Sequence, residues 1–250
     1  MIKLIRNLKP YKMAVLTLLV VLVVQAFGDI SIPSYMQKII DTGIQNKGVE
    51  HIMPSKIKGD EYREAQIFMN DGEKALWSSS YKKDGENYTL VVKDEKNLKR
   101  LDRKLLKPIV LSYQLGHMTI RQFKQTVKEQ LSARAETKAM AASIDGMSIS
   151  EISNLTEMDI KSFRAKDQSG KVRTYVDMRP MIQSQIASGE MDEPMINKSK
   201  SDMDKTISSV GDKTLRSMGI AYSTSASKAA GVDIDGVQKA YLRNTAFKMM

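Results

Sequence analysis

The densest apolar stretch of the chain runs from Met13 to Phe27 without a charge, and nothing beyond residue 45 matches it. With Gly28 it reaches 16 residues before Asp29, about 24 Å of helix against a hydrocarbon core of about 30 Å. The following ISIPSYMQKIID adds Ile30, Ile32, Pro33, Tyr35 and Met36. The pattern therefore predicts a membrane helix over 13–36, bent at Pro33 and with Asp29 turned away from lipid. Its nearly all-round apolar character, without a polar face, separates it from a surface helix. Lys3, Arg6, Lys9 and Lys12 precede the run with no acid among them. The positive-inside rule then places residues 1–12 in the cytoplasm and the rest of the chain outside. A cleavable signal peptide also fits, with Val24-Gln25-Ala26 as its small-residue site. The apolar continuation through 30–36 favours the anchor.

Downstream, the pattern predicts a mostly helical region over 37–232. Residues 48–59 read as a loop, followed by short helices at Glu61 to Phe68 and Glu73 to Ser79. Lys82-Lys83-Asp84-Gly85 reads as a turn, and Tyr88 to Val92 as one short strand, which alone makes no sheet. Leu98, Leu101 and Leu105 mark a helix over 94–107 that Pro108 ends or bends. Ile120, Phe123, Val127 and Leu131 mark another, running toward residue 140. In 143–169 several cap signals compete. Further helices are expected over 175–187, with Pro180 at its start or a bend, and around Met203, Ile207 and Val210. In 233–250, Ile234, Val237, Tyr241 and Phe247 share a stripe capped by Asp233 or Asp235. That last segment stops without a terminating signal, and so reads as cut short. The fold class expected is mainly α, with one N-terminal transmembrane helix.

Charge changes this picture little. Of a formal +10, four charges sit in the N-terminal flank. The rest leave a mildly basic surface with no nucleic-acid footprint. The absence of cysteine excludes disulfides, thiol nucleophiles and Cys-bound zinc. The two histidines, His51 and His117, have no metal-ligand spacing. The 17 methionines read as packing residues, not a ligand groove.

No phosphate-binding G-x-x-x-x-G-K-[ST] loop, G-x-G-x-x-G, H-E-x-x-H, EF-hand loop or G-x-S-x-G elbow occurs. No catalytic, cofactor-binding or metal-ligating residue is therefore assigned, and catalysis by the chain alone is not expected. Asp84 with Glu86 and Asp94 with Glu95 are paired carboxylates. They read as turn surface and helix cap, since sequence neighbours do not face one another across a substrate. Asn87-Tyr88-Thr89, Asn154-Leu155-Thr156 and Asn197-Lys198-Ser199 satisfy a glycosylation pattern that matters only on a eukaryotic secretory route.

Residues 4–48, LIRNLKPYKMAVLTLLVVLVVQAFGDISIPSYMQKIIDTGIQNKG, resemble the opening of a bacterial ABC exporter half-transporter. The elbow is Leu4, Leu8, Lys9, Pro10, Tyr11 and Lys12, and the phrase Ile39 to Ile44 follows a proline-containing segment. The resemblance implies a cell-membrane protein with a long extracytoplasmic insertion between its first and second helices, and an approach to the second helix from Val232 onward. It also implies ATP-driven export that relies on downstream parts: further transmembrane helices, a nucleotide-binding domain using ATP and Mg²⁺, and a second half-transporter. Membrane lipids would be partners and nucleic acid would not. The alternative is a single-pass membrane-anchored or secreted helical binding module.

Overall fold

The computed structural model describes residues 35–132, 137–156, 160–166, 171–189 and 210–248, with residues 22, 25, 191, 194, 196–198, 200–201 and 205. The chain divides into two compact units, residues 51–232 in one and residues 1–50 with 233–250 in the other.

The larger unit begins with strand β1 (Lys56–Lys58), helix α1 (Gly59–Glu64), helix α2 (Asp71–Ser80) and the hairpin β2 (Tyr81–Asp84) and β3 (Asn87–Leu90). Asn70 starts α2 through a capping box. Its Oδ1 accepts from Glu73 N–H, while its own N–H donates to Glu73 Oε2, both at 2.9 Å. Gly85 takes φ +63° at the hairpin turn, a conformation that L side chains rarely adopt. The sheet order is β1-β3-β2, all antiparallel, with Ile57 opposite Tyr88 and Lys83 opposite the same Tyr88. Rings hold this part together: Tyr62 stacks on Tyr88 at 3.9 Å and meets Tyr81 edge-on, and Trp77 lies 4.8 Å from Tyr81. Such pairs add about 0.5–1.5 kcal/mol each beyond area burial.

Helix α3 (Glu95–Gly116) follows, then β4 (Met118–Thr119), α4 (Ile120–Ser132), α5 (Lys138–Ala141), α6 (Ile149–Thr156), the hairpin β5 (Lys161–Lys166) and β6 (Val172–Asp177), α7 (Arg179–Ser188) and α8 (Asp212–Ala229). The second sheet has order β4-β6-β5, again antiparallel, with Phe163 opposite Tyr175 and Ser162 opposite Val176. Val176, Phe123, Val127, Ile144, Ile152, Val110, Leu111 and Leu215 form the buried core beneath it. Each fully buried aliphatic or aromatic side chain contributes about 1.5–3 kcal/mol relative to exposure.

In the smaller unit a π-helical turn, Ile39–Gln45, packs on α9 (Ile234–Phe247). Gly43 is buried where a Cβ would meet Leu242 and Tyr241. Gln238 Nε2 donates to the Gly43 carbonyl at 2.7 Å, which satisfies a backbone acceptor at the close approach. Asp233 caps α9 by accepting Gly236 N–H at 3.0 Å.

Four expectations change. The helix expected over 13–36 falls outside the described residues, apart from Leu22, Gln25, Tyr35 and Met36. Among the described residues no helix is long and apolar enough to cross a membrane. The two longest, α3 and α8, have 22 and 18 residues but carry charges along their length, from Glu95 to Lys107 and from Asp212 to Lys228. This finding overturns the fold class built on a spanning helix, together with the membrane location and inside-out topology drawn from it; what stands is a mainly α-helical fold. Second, the region holds two sheets, not one isolated strand. Third, the helix expected over 94–107 runs on to Gly116, so of the two outcomes expected at Pro108, ending or bending the helix, the first does not occur. Proline removes one intrahelical bond, a cost of about 3 kcal/mol, which burial of Pro108, Ile109, Val110 and Leu111 offsets. Fourth, the segment expected to be helical from Tyr175 is strand β6 up to Asp177, and Pro180 sits in the first turn of α7, where its missing N–H costs nothing. The helix expected around Met203, Ile207 and Val210 lies almost wholly outside the described residues.

Candidate functional site

Three clusters of polar side chains stand out in the larger unit. The first surrounds Arg179, which opens α7 directly after β6. Its Nε and Nη2 donate to Asp177 Oδ1 and Oδ2 at 3.0 and 2.8 Å, Nη1 donates to Glu61, and Nη2 reaches Glu64 Oε2 at 3.2 Å. The guanidinium is 6% exposed. Glu61 and Glu64 come from α1, so one side chain ties the second sheet to the first part of the unit. Gly116 at the end of α3 makes room for it, since a Cβ there would overlap Arg179 Nε, Cζ and Nη2. Burial pushes the Glu64 carboxyl up to about 7, against the pull of Arg179 and with the charges of Asp177 and Glu61 adding to the rise. The guanidinium occupies the point on which the carboxylates converge, so the cluster is closed to a ligand. Among the described residues no group of acids and histidines could hold a metal ion.

Beside it, on the face of the second sheet opposite the core, His117 lies 4.1 Å from Tyr113, 5.2 Å from Phe163 and 5.8 Å from Tyr175. His117 Nδ1 donates to the Tyr113 carbonyl at 3.1 Å. Burial, reinforced by the nearby Arg179 charge, holds this imidazole down to about 4. It is thus a neutral aromatic ring at pH 7.

The second cluster centres on His51. Its Nδ1 lies 2.9 Å from Asp102 Oδ2 and its Nε2 3.2 Å from Glu95 Oε2, while Asp102 Oδ1 accepts Ile52 N–H at 3.0 Å. The Asp102 hydrogen bond raises the His51 pKa despite burial, with Glu95 adding to the rise. Both ring nitrogens are engaged by carboxylates, so His51 clamps the chain and has no free nitrogen for proton transfer.

The third is a groove of about 540 Å³ beside β5. Ile120 and Lys124 of α4, Met147 and Ser148 before α6, Ile149, Ser150, Ser153 and Asn154 of α6, and Ile160 and Ser162 at the start of β5 line it. Ser148 opens α6 with a reciprocal cap, its Oγ donating to Glu151 Oε2 at 2.7 Å and accepting from Glu151 N–H at 3.3 Å. Lys124 Nζ donates to the Asp145 carbonyl at 2.9 Å, and Lys128 pairs with the Asp145 carboxylate. The walls therefore combine serine hydroxyls, of which Ser148 and Ser150 bond one another, with one amide, one ammonium and aliphatic carbon.

The paired carboxylates fall where turn and cap chemistry would put them. Asp84 is exposed on β2 with Lys56 at 3.8 Å. Asp94 caps α3 by accepting Asn97 N–H at 3.0 Å, and Glu95 serves Lys99 and His51. Asn87-Tyr88-Thr89 lies in β3 and Asn154-Leu155-Thr156 closes α6. Of the groove residues, sequence named Ile120 as a position on a helix stripe and Asn154 within a glycosylation pattern, and none as a binding residue. One signal was present, the Ser148-x-x-Glu151 capping box, which fixes where α6 begins and turns its serines toward the groove.

Taken together, these elements make the larger unit a mainly α-helical domain carrying two small antiparallel sheets. Comparison of the chain with protein-family models returns no match, nor does comparison with curated proteins or with solved structures. The resemblance of residues 4–48 to an ABC exporter half-transporter is thereby overturned, since no family model supports it and no described helix crosses a membrane. With it go the export function, the implied ATP and Mg²⁺, the lipid and half-transporter partners and the cell-membrane location. The alternative, a single-pass membrane-anchored or secreted helical binding module, is not supported either, since no helix among the described residues is long and apolar enough to cross a membrane.

Proposed function

We propose that the larger unit is a polypeptide-binding domain, that the groove between α6 and β5 is its binding site, and that the chain works by binding without a reaction of its own. The observation that carries this is the groove itself: about 540 Å³ lined by four serines, Asn154, Lys124 and four aliphatic side chains. Short hydroxyl and amide groups over aliphatic carbon suit a chain segment, whose amides need hydrogen bonds and whose side chains need apolar cover. The ionisable clusters support the same reading from the other side, because Arg179 and His51 spend their hydrogen bonds on their own neighbours.

The test is a display selection of random peptides on the intact chain, followed by rebinding to Asn154→Trp. Asn154 is exposed on α6 and lines the groove, so the indole fills the groove and leaves the core alone. Selected peptides should bind the parent chain and lose at least about tenfold on the variant. A selection that enriches nothing, or enriches peptides indifferent to the substitution, would overturn the proposal.

A further inference from the structure

Resting on that reading, we infer that the occupant is an extended acidic segment that adds as a strand to the outer edge of β5, its alternate side chains entering the groove and meeting Arg164. Among the described residues β5 is the last strand of its sheet and β6 is its one strand partner. Among the described residues no other segment hydrogen-bonds to its backbone. In an antiparallel pair half of an edge strand's N–H and C=O groups point away from its partner, and an added strand satisfies them.

The register links edge and groove. Side chains alternate along a strand, so Ile160, Ser162 and Arg164 share one face and Lys161 and Phe163 the other. Ile160 and Ser162 line the groove. Arg164 is next on the same face, about 7 Å farther on, exposed and unpaired among the described residues. A strand lying along β5 places one side chain in the groove and the second neighbour of that residue beside Arg164.

Charge decides the kind of segment. On the α4 and α6 rim, Lys124, Lys128, Asp145 and Glu151 stand together and offset one another. On the strands, Lys161 and Arg164 are exposed. Each face of an added strand therefore meets a cation, Arg164 on the groove side and Lys161 on the other, which fits Asp or Glu flanking a small or aliphatic anchor.

Fluorescence anisotropy on the intact chain tests this with three short, capped, dye-labelled peptides alternating Val with Glu, Ser or Lys. The Glu peptide should bind at least about tenfold more tightly than the Ser peptide and weaken with salt. Arg164→Glu should reverse the order of the Glu and Lys peptides. N-methylation of alternate amides should abolish binding in one phase and spare it in the other, because only one set of N–H groups faces β5. Equal binding of Glu and Ser peptides, lost on Asn154→Trp, would overturn the acidic occupant and leave the groove reading intact. Binding by none of the three would overturn both. Indifference to both methylation phases, or displacement by a single-stranded oligonucleotide as readily as by unlabelled peptide, would make this a general polyanion surface and overturn strand addition.

Discussion

Around Arg179 three carboxylates and one guanidinium converge, with the guanidinium 6% exposed. Around Asn154, hydroxyls and aliphatic carbon face an open groove of about 540 Å³. The first region has the stronger chemistry and the second the greater access. A buried ion cluster is costly to desolvate, and it holds only when each charge keeps its partners. The Arg179 cluster therefore acts as a structural joint between α1, β6 and α7. In the groove, Met147, Ile149 and Ile160 pack against the core, while Asn154 stands exposed on the wall. If this division is right, the two regions should answer opposite experiments.

Arg179→Met should produce the largest loss of stability, about 3–5 kcal/mol in urea unfolding, because it leaves Glu61, Glu64 and Asp177 without their common cation. A loss below about 1 kcal/mol would mean that the cluster is not a joint. Gly116→Ala should cost less, about 1–3 kcal/mol, since the added methyl meets a guanidinium pinned by three acids. Combined with Arg179→Met it should add almost nothing, as the obstructing group is gone. Full additivity in that double-mutant cycle would remove Arg179 as the source of the clash.

The effect of pH is smaller and has a sign that separates neighbours in the cluster. Glu64 holds its proton to about 7, above the ordinary 4.5. Between these values the folded state binds more protons than the unfolded, so stability falls as pH rises. His117 is held down to about 4 from 6.5. Between these values the unfolded state binds more protons, so stability falls as pH drops. The two slopes oppose one another from about pH 4.5 to 6.5. Glu64→Gln should unmask a stability that rises with pH across that window, and His117→Phe one that falls, relative to the parent chain. Equal slopes in both variants would contradict the assignment.

Sequence disclosed the pieces with strong local rules. The stripe of Leu98, Leu101 and Leu105 marks α3, and Ile120, Phe123 and Val127 mark α4, because a periodic apolar face is visible without knowing its partner. The second sheet was hidden for the opposite reason. Val172 to Val176 is rich in β-branched and aromatic residues, a strand signal, but it abuts a helical run from Arg179 and only Asp177 and Met178 separate them. The Arg179 cluster was not legible at all. Glu61, Glu64, Asp177 and Arg179 are scattered over more than a hundred positions, and nothing local distinguishes them from surface charges. The apolar run before residue 28 dominated the reading because its pattern is so strong, and it led to a membrane assignment that the described helices do not bear out.

The smallest expected effect on folding belongs to the groove, and it sharpens the contrast with Arg179. Asn154 is exposed near the end of α6 and lies on the groove wall. Replacing it with Trp removes no buried contact, and surface substitutions away from caps and cores stay within about 0.5 kcal/mol. Urea midpoint and slope should therefore match the parent chain, while peptide binding falls at least about tenfold because the indole occupies the groove. Ile152, two residues earlier on the same helix but fully buried in the core, supplies the counterpart. Ile152→Ala should lower stability by about 2–5 kcal/mol. At temperatures where it remains folded, its peptide affinity should stay within about threefold of the parent. Measuring both variants by unfolding and by anisotropy gives four numbers from one helix. If Asn154→Trp unfolds the domain as readily as Ile152→Ala does, the groove is part of the core and the division between joint and site fails.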